Sequence, residues 1–212
     1  MAIKRVLIAI FWLQTIMGYA QGLTPAQLVG TWMGESVEVD LNTVVPLPLR
    51  DYARALTHLQ AYDDRTPNFD DPIDDYSVNY LKGRAYAGLG DHKNALKAYT
   101  LTISQRATRL GMEWVDYRYL VARGMSYLAQ KQAINGLSDF ELAIKNYPKS
   151  SMAHYHRGRA LEQLSRLEEA KTAYRDARFF LLSNNAFERD YYYEQPDAAY
   201  EEDIDEALAR LK

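Results

Sequence analysis

Small and large apolar residues recur in one fixed order along the middle of the chain. The order starts at a glycine that follows a basic residue, and this occurs at Gly83, Gly124 and Gly158. The residues three, twelve, sixteen and nineteen positions after each glycine form three matching sets: Tyr86, Ala95, Tyr99 and Thr102; Tyr127, Gly136, Phe140 and Ala143; Leu161, Ala170, Tyr174 and Ala177. Small residues let two helices cross closely, and a neighbouring aromatic ring fills the remaining gap. Each set therefore predicts a pair of antiparallel helices.

The spacing of these glycines defines a repeat. Gly124 and Gly158 are 34 residues apart, whereas Gly83 and Gly124 are 41 apart, which is one such period plus a seven-residue insertion. Periods of this length are typical of solenoids built from stacked helical hairpins. We therefore expect an all-α fold in which residues 76–183 form three stacked hairpins.

This pattern resembles the tetratricopeptide repeat, and the middle copy matches that family most fully. Its matching residues are Gly124, Tyr127, Gly136, Phe140, Ala143 and Pro148. Leu161 replaces the first aromatic residue in the third copy, and Ala107 stands where the first copy would carry its proline. The resemblance implies a helical-hairpin solenoid that binds a protein or peptide.

A partial copy precedes the three full ones. Ala55, Leu59 and Pro67 repeat the spacing of the second helix of the middle copy. The first helix is not expected, because Val44–Pro48 contains two prolines, which cannot sit inside a helix. We assign residues 50–75 to this half repeat and the acidic loop that follows it.

Residues 21–49 are expected to form a small non-helical appendage and an extended linker. Thr24–Gln27 has the pattern of a helix capping box, and Val37–Leu41 alternates apolar and polar residues like a strand. Gly30–Trp32 resembles the entry motif of lipocalins, but a barrel needs eight strands and too few residues remain to build them.

Residues 184–212 are expected to form a loop and a capping helix that Pro196 opens. The apolar residues that would share one face of this helix are Tyr200, Ile204, Ala207, Leu208 and Leu211. The acidic residues that would face outward are Glu201, Glu202, Asp203 and Glu206. Such a helix covers the apolar face of a terminal repeat and keeps the stack soluble.

Residues 1–20 have the zones of a secretory signal peptide. Lys4 and Arg5 precede the apolar run Val6–Met17, and small residues end the segment at Ala20. We expect cleavage after Ala20, although an uncleaved N-terminal anchor is the alternative. The run is too short for a typical membrane-spanning helix, and no later segment of the sequence is apolar enough to span a membrane.

Charge and cysteine content limit the class of partner and the cellular location that we expect. The net charge is -3, and loss of the two basic residues of the signal would make it -5, so the composition predicts neither a basic surface for nucleic acid nor a polybasic face for anionic lipid. There is no cysteine, and there is no Asn-x-Ser/Thr glycosylation acceptor. Together with the signal, these features favour a bacterial protein that is periplasmic or secreted.

Three possible catalytic or metal-binding patterns have structural explanations. Gly124–Ser126 lacks the second glycine of a nucleophile elbow and lies within a predicted helix. Gly88–Gly90 lacks the third glycine of a phosphate loop and is expected to be the turn within a hairpin. His154 and His156 are two residues apart on a predicted helix, so they point about 200 degrees apart and cannot share a metal without a third element.

An acidic cluster precedes the first full repeat. Its members are Asp70, Asp71, Asp74 and Asp75. Calcium binding is one interpretation, but the cluster lacks the glycine and the closing glutamate of an EF-hand loop. Helix-capping aspartates in a solvated loop are the other. We expect no metal and no cofactor.

The resemblance also implies which side chains line the concave surface of the stack. These lie three positions before, one after and four after each repeat glycine: Tyr80, Arg84 and Ala87; Val121, Met125 and Leu128; Tyr155, Arg159 and Glu162. Tyrosine and arginine are frequent hot spots at interfaces, and Arg84 and Arg159 are suited to gripping carboxylates of a peptide. Family members that bind chaperone C-termini use asparagine and lysine in this groove, a pattern that this chain lacks.

We therefore predict a non-enzymatic scaffold or adaptor that acts in the cell envelope or outside the cytoplasm. One alternative is a ligand-binding or catalytic role for the appendage around Gly30–Leu41, with the repeats as a platform. Another is self-association through Tyr191–Tyr193 and the final helix.

Overall fold

The computed structural model describes residues 52–65, 78–183 and 199–211. The chain divides into two compact units, Met1–Pro67 and Asn68–Lys212. The predicted signal peptide, appendage, acidic cluster and Tyr191–Tyr193 segment lie outside the described residues, so these expectations stay predictions.

The described part of the first unit is one helix. Helix α1 spans Tyr52–Arg65, in the segment where the half repeat predicts a helix. Leu59 is buried and Ala55 is half-buried, as are Tyr52 and Leu56.

The described part of the second unit consists of three helical hairpins and a final helix. The hairpins are α2 (Val78–Gly88) with α3 (His92–Leu110), α4 (Tyr117–Ala129) with α5 (Ala133–Asn146), and α6 (Ser151–Gln163) with α7 (Leu167–Leu182); the final helix is α8 (Glu201–Arg210). The described residues include no strand. The predicted all-α hairpin solenoid is confirmed. Among these helices, none combines the length and apolar character needed to cross a membrane.

All three hairpins turn through the same backbone geometry. The residue seven positions after each repeat glycine has a positive φ: 77° at Gly90, 59° at Lys131 and 60° at Ser165. In each turn the next residue donates its N–H to the carbonyl three positions after the repeat glycine, at 2.8–2.9 Å. This is the Schellman geometry that ends helices in the left-handed region. The turn is therefore common to all copies, although only the first uses glycine.

Each repeat glycine packs against the aromatic residue sixteen positions later. A Cβ added at Gly124 would lie 2.5 Å from Cε1 of Phe140, and one at Gly158 would lie 2.5 Å from Cε1 of Tyr174. Gly83 has the same relation to Tyr99. The helices of each pair thus approach as closely as a missing side chain permits.

The other predicted packing residues differ in burial. Those that are almost fully buried are Ala95, Thr102, Ala143, Leu161, Ala170 and Ala177. A Cβ at Gly136 would lie 2.9 Å from the carbonyl oxygen of Gly124, so a second glycine allows close contact between α4 and α5. Tyr86 and Tyr127 are half-buried, and Pro148 is exposed.

The seven-residue insertion lengthens one helix and adds a turn. Helix α3 has 19 residues, against 14 in α5 and 16 in α7. A 3-10 turn, Met112–Trp114, then leads to α4. The insertion therefore lies in the connection between the first and second hairpins.

The basic residue before the repeat glycine forms ion pairs in two copies. Arg123 binds both carboxylate oxygens of Asp139 on α5, at 2.8 and 2.7 Å. Arg157 approaches Glu141 at 3.9 Å. Both partners lie on α5, so Arg123 forms its ion pair within one hairpin and Arg157 forms its pair with the preceding hairpin. The recurring basic residue therefore helps to hold the helices of the stack together.

Helix α8 packs against the third hairpin, but it begins later than the sequence predicts. It starts at Glu201 rather than near Pro196, and Tyr200 precedes it with 52% exposure, so Tyr200 is not on the buried face. Ile204 and Ala207 are the buried positions. The acidic side of α8 does not simply face solvent, because Glu201 and Asp205 both pair with Arg178 on α7.

Candidate binding groove

The first helices of the hairpins present one accessible row of side chains. This row holds the residues one position after each repeat glycine: Arg84, Met125 and Arg159, and all three are half-buried. The row runs across the first helices of three successive hairpins, because α2, α4 and α6 take equivalent places in their hairpins. It places a cation, a thioether and a second cation in order.

The side chains three positions before the first two glycines do not line an accessible surface. The sequence places Tyr80 and Val121 on the groove, but each is only 1% exposed. The ring of Tyr80 packs against Tyr119 at 4.6 Å and Tyr99 at 5.9 Å between centroids, within the core. These two positions are therefore core residues. Leu128 is also buried, beneath Gly136.

The two arginines of the row rest on aromatic neighbours. The guanidinium of Arg84 lies 5.9 Å from the centroid of the Tyr80 ring. The guanidinium of Arg159 lies 3.4 Å from Nδ1 of His156. Both side chains are thus supported from below by buried rings, which restricts their freedom before a partner arrives.

Glu162 is held by the chain itself. Its carboxylate accepts hydrogen bonds from Arg210 of α8 at 2.9 Å and from the hydroxyl of Tyr174. Burial raises the pKa of Tyr174, and its hydrogen bond to the carboxylate acts in the same direction, so this phenol stays protonated and donates. The sequence assigns Glu162 to partner binding, but the structure shows that it joins α6 to the capping helix. Nothing in the sequence pattern identified Arg210 as its partner.

Tyr155 lies between this cluster and the row. Its ring is half-buried, 5.6 Å from the ring of Tyr174. Burial raises the pKa of Tyr155, with Arg159 acting in the opposite direction, so it too is a neutral phenol near physiological pH. The charge of Arg159 therefore acts on a neutral hydroxyl.

The two histidines occupy separate structural positions. Nε2 of His154 lies 3.0 Å from the carbonyl oxygen of Pro148, which can only accept, so Nε2 carries the proton. The His154 ring stacks on Phe180, whereas that of His156 stacks on Phe140. No group of three metal-ligating side chains occurs in the part of the chain that the structure describes.

Comparison with known proteins identifies the repeats. The tetratricopeptide-repeat family model matches residues 76–106 and 153–177, which contain parts of the first and third hairpins. Residues 76–106 and 153–177 therefore match tetratricopeptide repeats, and the structure shows the middle hairpin as an equivalent unit. A comparison with curated protein sequences finds no significant match.

The chain is similar to several solved structures. MamA from Desulfovibrio magneticus RS-1 is 19% identical, with 76% of this chain and 83% of that chain covered and a TM-score of 0.52. The Sgt2 repeat domain from Aspergillus fumigatus is 21% identical, covering 63% and 74%, with a TM-score of 0.46. The second repeat domain of human RPAP3, solved in complex with an HSP70 peptide, is 18% identical, covering 63% and 91%, with a TM-score of 0.46.

Proposed function

We propose that this protein is an adaptor that binds an extended segment of a partner protein across the row Arg84–Met125–Arg159. The observation that carries the proposal is the row itself, in which equivalent positions of three hairpins present two supported cations around a thioether. Arginine binds carboxylates through paired hydrogen bonds, and methionine adapts to apolar side chains of varied shape. The expected ligand is acidic at both ends and apolar at its centre.

The spacing of the helices sets the length of this ligand. Packed helices lie about 10 Å apart, so α2 and α6, with α4 between them, are on the order of 20 Å apart. An extended chain advances about 3.3 Å per residue. Two acidic residues separated by roughly six positions would therefore reach Arg84 and Arg159 together, with an apolar residue near Met125.

Selection from a random peptide library displayed on phage tests this proposal. The full chain is the bait, and each selected peptide is measured by fluorescence polarisation against the wild type, R84A/R159A and R109A/R175A. The last variant removes the same charge from exposed arginines of the outer helices. Loss of two desolvated charge contacts should weaken binding at least tenfold in the groove variant alone, because each such contact contributes about 1.5–3 kcal/mol.

The outcomes separate the groove from the rest of the chain. Selected peptides with paired acidic residues, weakened only by R84A/R159A, support the proposal. Peptides that bind both variants equally would contradict the groove assignment and direct attention to residues 21–49. Circular dichroism of both variants controls for loss of helical structure.

We also propose that the adaptor acts outside the cytoplasm of a bacterium. The support is the order of basic, apolar and small residues in residues 1–20. Expression in a bacterial host followed by N-terminal sequencing tests it. A mature chain beginning at Gln21 in the periplasmic fraction is expected, and a full-length chain that stays in the cytosol would refute export.

A further inference from the structure

The insertion between the first two hairpins carries a compact group of exposed apolar side chains. Leu110, Met112 and Trp114 are 46%, 43% and 72% exposed, and they lie within five consecutive residues. We call these three residues the apolar tip. An indole exposed to this extent costs solvation free energy in an isolated soluble chain, which favours its transfer to a less polar environment.

The apolar tip is held in one conformation. Gly111 has φ +95° and donates its N–H to the carbonyl of Ala107 at 2.9 Å. Nδ2 of Asn146 donates to the carbonyls of Met112 and Val115, at 2.9 and 2.8 Å. The turn is thereby fastened to the end of α5, and the exposed side chains are presented without a further cost of ordering the backbone.

The charges beside the apolar tip favour an anionic surface. Arg109 and Lys145 are exposed and flank the turn, the first by preceding Leu110 and the second by preceding Asn146. The carboxylate of Glu113 folds back over Gly111, where an added Cβ would meet its Oε1 at 2.7 Å. The nearby Asp116 is paired with Arg118. Glu113 is itself exposed, so among the described residues that flank the turn two exposed cations stand against one exposed carboxylate, although the whole chain is acidic.

We propose that the apolar tip docks on the interface of an anionic phospholipid bilayer. The tip lies on the turn that connects two helices, and a bilayer interface can receive its exposed side chains without a preformed pocket. Tryptophan partitions to the headgroup level, and adjacent lysine and arginine bind anionic lipid. Docking at this end leaves the row Arg84–Met125–Arg159 on a different surface, so the proposal is independent of what the groove binds.

Trp114 itself can report on docking. The chain contains three tryptophans, so W12F/W32F leaves Trp114 as the only indole. Vesicles of phosphatidylcholine with phosphatidylglycerol should shift the Trp114 emission to shorter wavelength, and lipids brominated along the acyl chains should quench it. Pure phosphatidylcholine vesicles should give a weaker response. In the same background, R109A/K145A should reduce the affinity for anionic vesicles roughly tenfold or more, from the loss of two surface cations.

A matched control excludes a general effect of apolar surface. Ile134 is also 72% exposed, but it lies at the other end of α5, about 18 Å from Asn146 along the helix axis. In vesicle flotation of the full chain, W114A should reduce the bound fraction and I134A should not. Equal loss in the two variants would overturn the proposal.

The apolar residues 6–17 can bind vesicles by themselves, and the fluorescence of Trp114 distinguishes this case. A chain that floats with vesicles while Trp114 keeps its aqueous emission binds through another segment, which would overturn the proposal. An unchanged emission without flotation would do the same and would point to the apolar tip as a protein contact.

Discussion

The ion pair between Arg123 and Asp139 permits a quantitative prediction about stability. The side chains are 17% and 7% exposed, and two parallel hydrogen bonds of 2.8 and 2.7 Å join them. The Asp139→Ala substitution would leave the guanidinium half-enclosed, with a 3.3 Å hydrogen bond to Thr100 and the centroid of the Tyr127 ring 6.0 Å away. Breaking a fully buried pair costs about 3–5 kcal/mol, and the residual exposure of Arg123 lowers this to roughly 2–4 kcal/mol of unfolding free energy.

Removing both charges should be far less harmful. Burial raises the pKa of Asp139, while the hydrogen bonds and charge of Arg123 oppose that shift, so desolvation cancels much of the attraction within the pair. Replacement of both partners by apolar residues of similar volume is commonly neutral or stabilising. We therefore expect the double variant R123M/D139L to lie within about 1 kcal/mol of the wild type.

Urea unfolding followed by circular dichroism measures these differences. Asp139→Leu, R123M and the double variant, together with Asp139→Ala, are compared with the wild type at one pH, and the slopes of the transitions verify that the unfolded states are equivalent. The reasoning fails if the double variant is as unstable as the sum of its single variants. That result would mean that the pair supplies net stability beyond the cost of burying its charges.

Four further predictions concern local contacts. Gly158→Ala should lower the free energy of unfolding by about 1–3 kcal/mol in urea titrations, because its Cβ must displace the buried ring of Tyr174; Gly90→Ala should cost about 1 kcal/mol through its positive φ alone. Burial lowers the pKa of His154, so the unfolded chain takes up a proton at this residue more readily, and stability falls as the pH drops below about 6.5. The His154→Phe variant should therefore lose less stability than the wild type between pH 7.5 and 5.5. Parallel curves of stability against pH would show that His154 is not the source of the pH dependence. Asn146→Ala should accelerate amide hydrogen exchange in the turn that contains Trp114, and unchanged exchange would show that its two hydrogen bonds do not hold that turn.

The regular part of the fold could be predicted because its cause is local and repeated. Gly83, Gly124 and Gly158 mark the places where an absent side chain admits a ring, and this steric requirement leaves a visible period in the sequence. The turns are less visible. Lys131 and Ser165 adopt the left-handed backbone of Gly90, because the two helices fix the geometry of the turn and override the local preference.

The candidate groove was harder to predict because exposure depends on distant elements. The offset rule selects Tyr80 and Arg84 equally, but the ring of Tyr80 finds aromatic neighbours from two other helices and becomes core. Glu162 meets Arg210, which is 48 residues away and outside the repeat. A repeat period reveals only the residues that all copies share. The contacts of Tyr80 and Glu162 each occur in one copy, so the period does not predict them.

The features that distinguish this chain from a uniform solenoid fall at positions that the repeat does not constrain. The residue after each repeat glycine changes from Arg84 to Met125 to Arg159 while the glycine stays constant, so the inner surface varies on an invariant frame. The insertion is accommodated at a hairpin connection, where a longer α3 and an extra turn do not alter how α4 packs on α5. Since substitutions at such sites cost little packing energy, the Arg84–Met125–Arg159 row and the turn bearing Trp114 can vary independently of the fold and of each other.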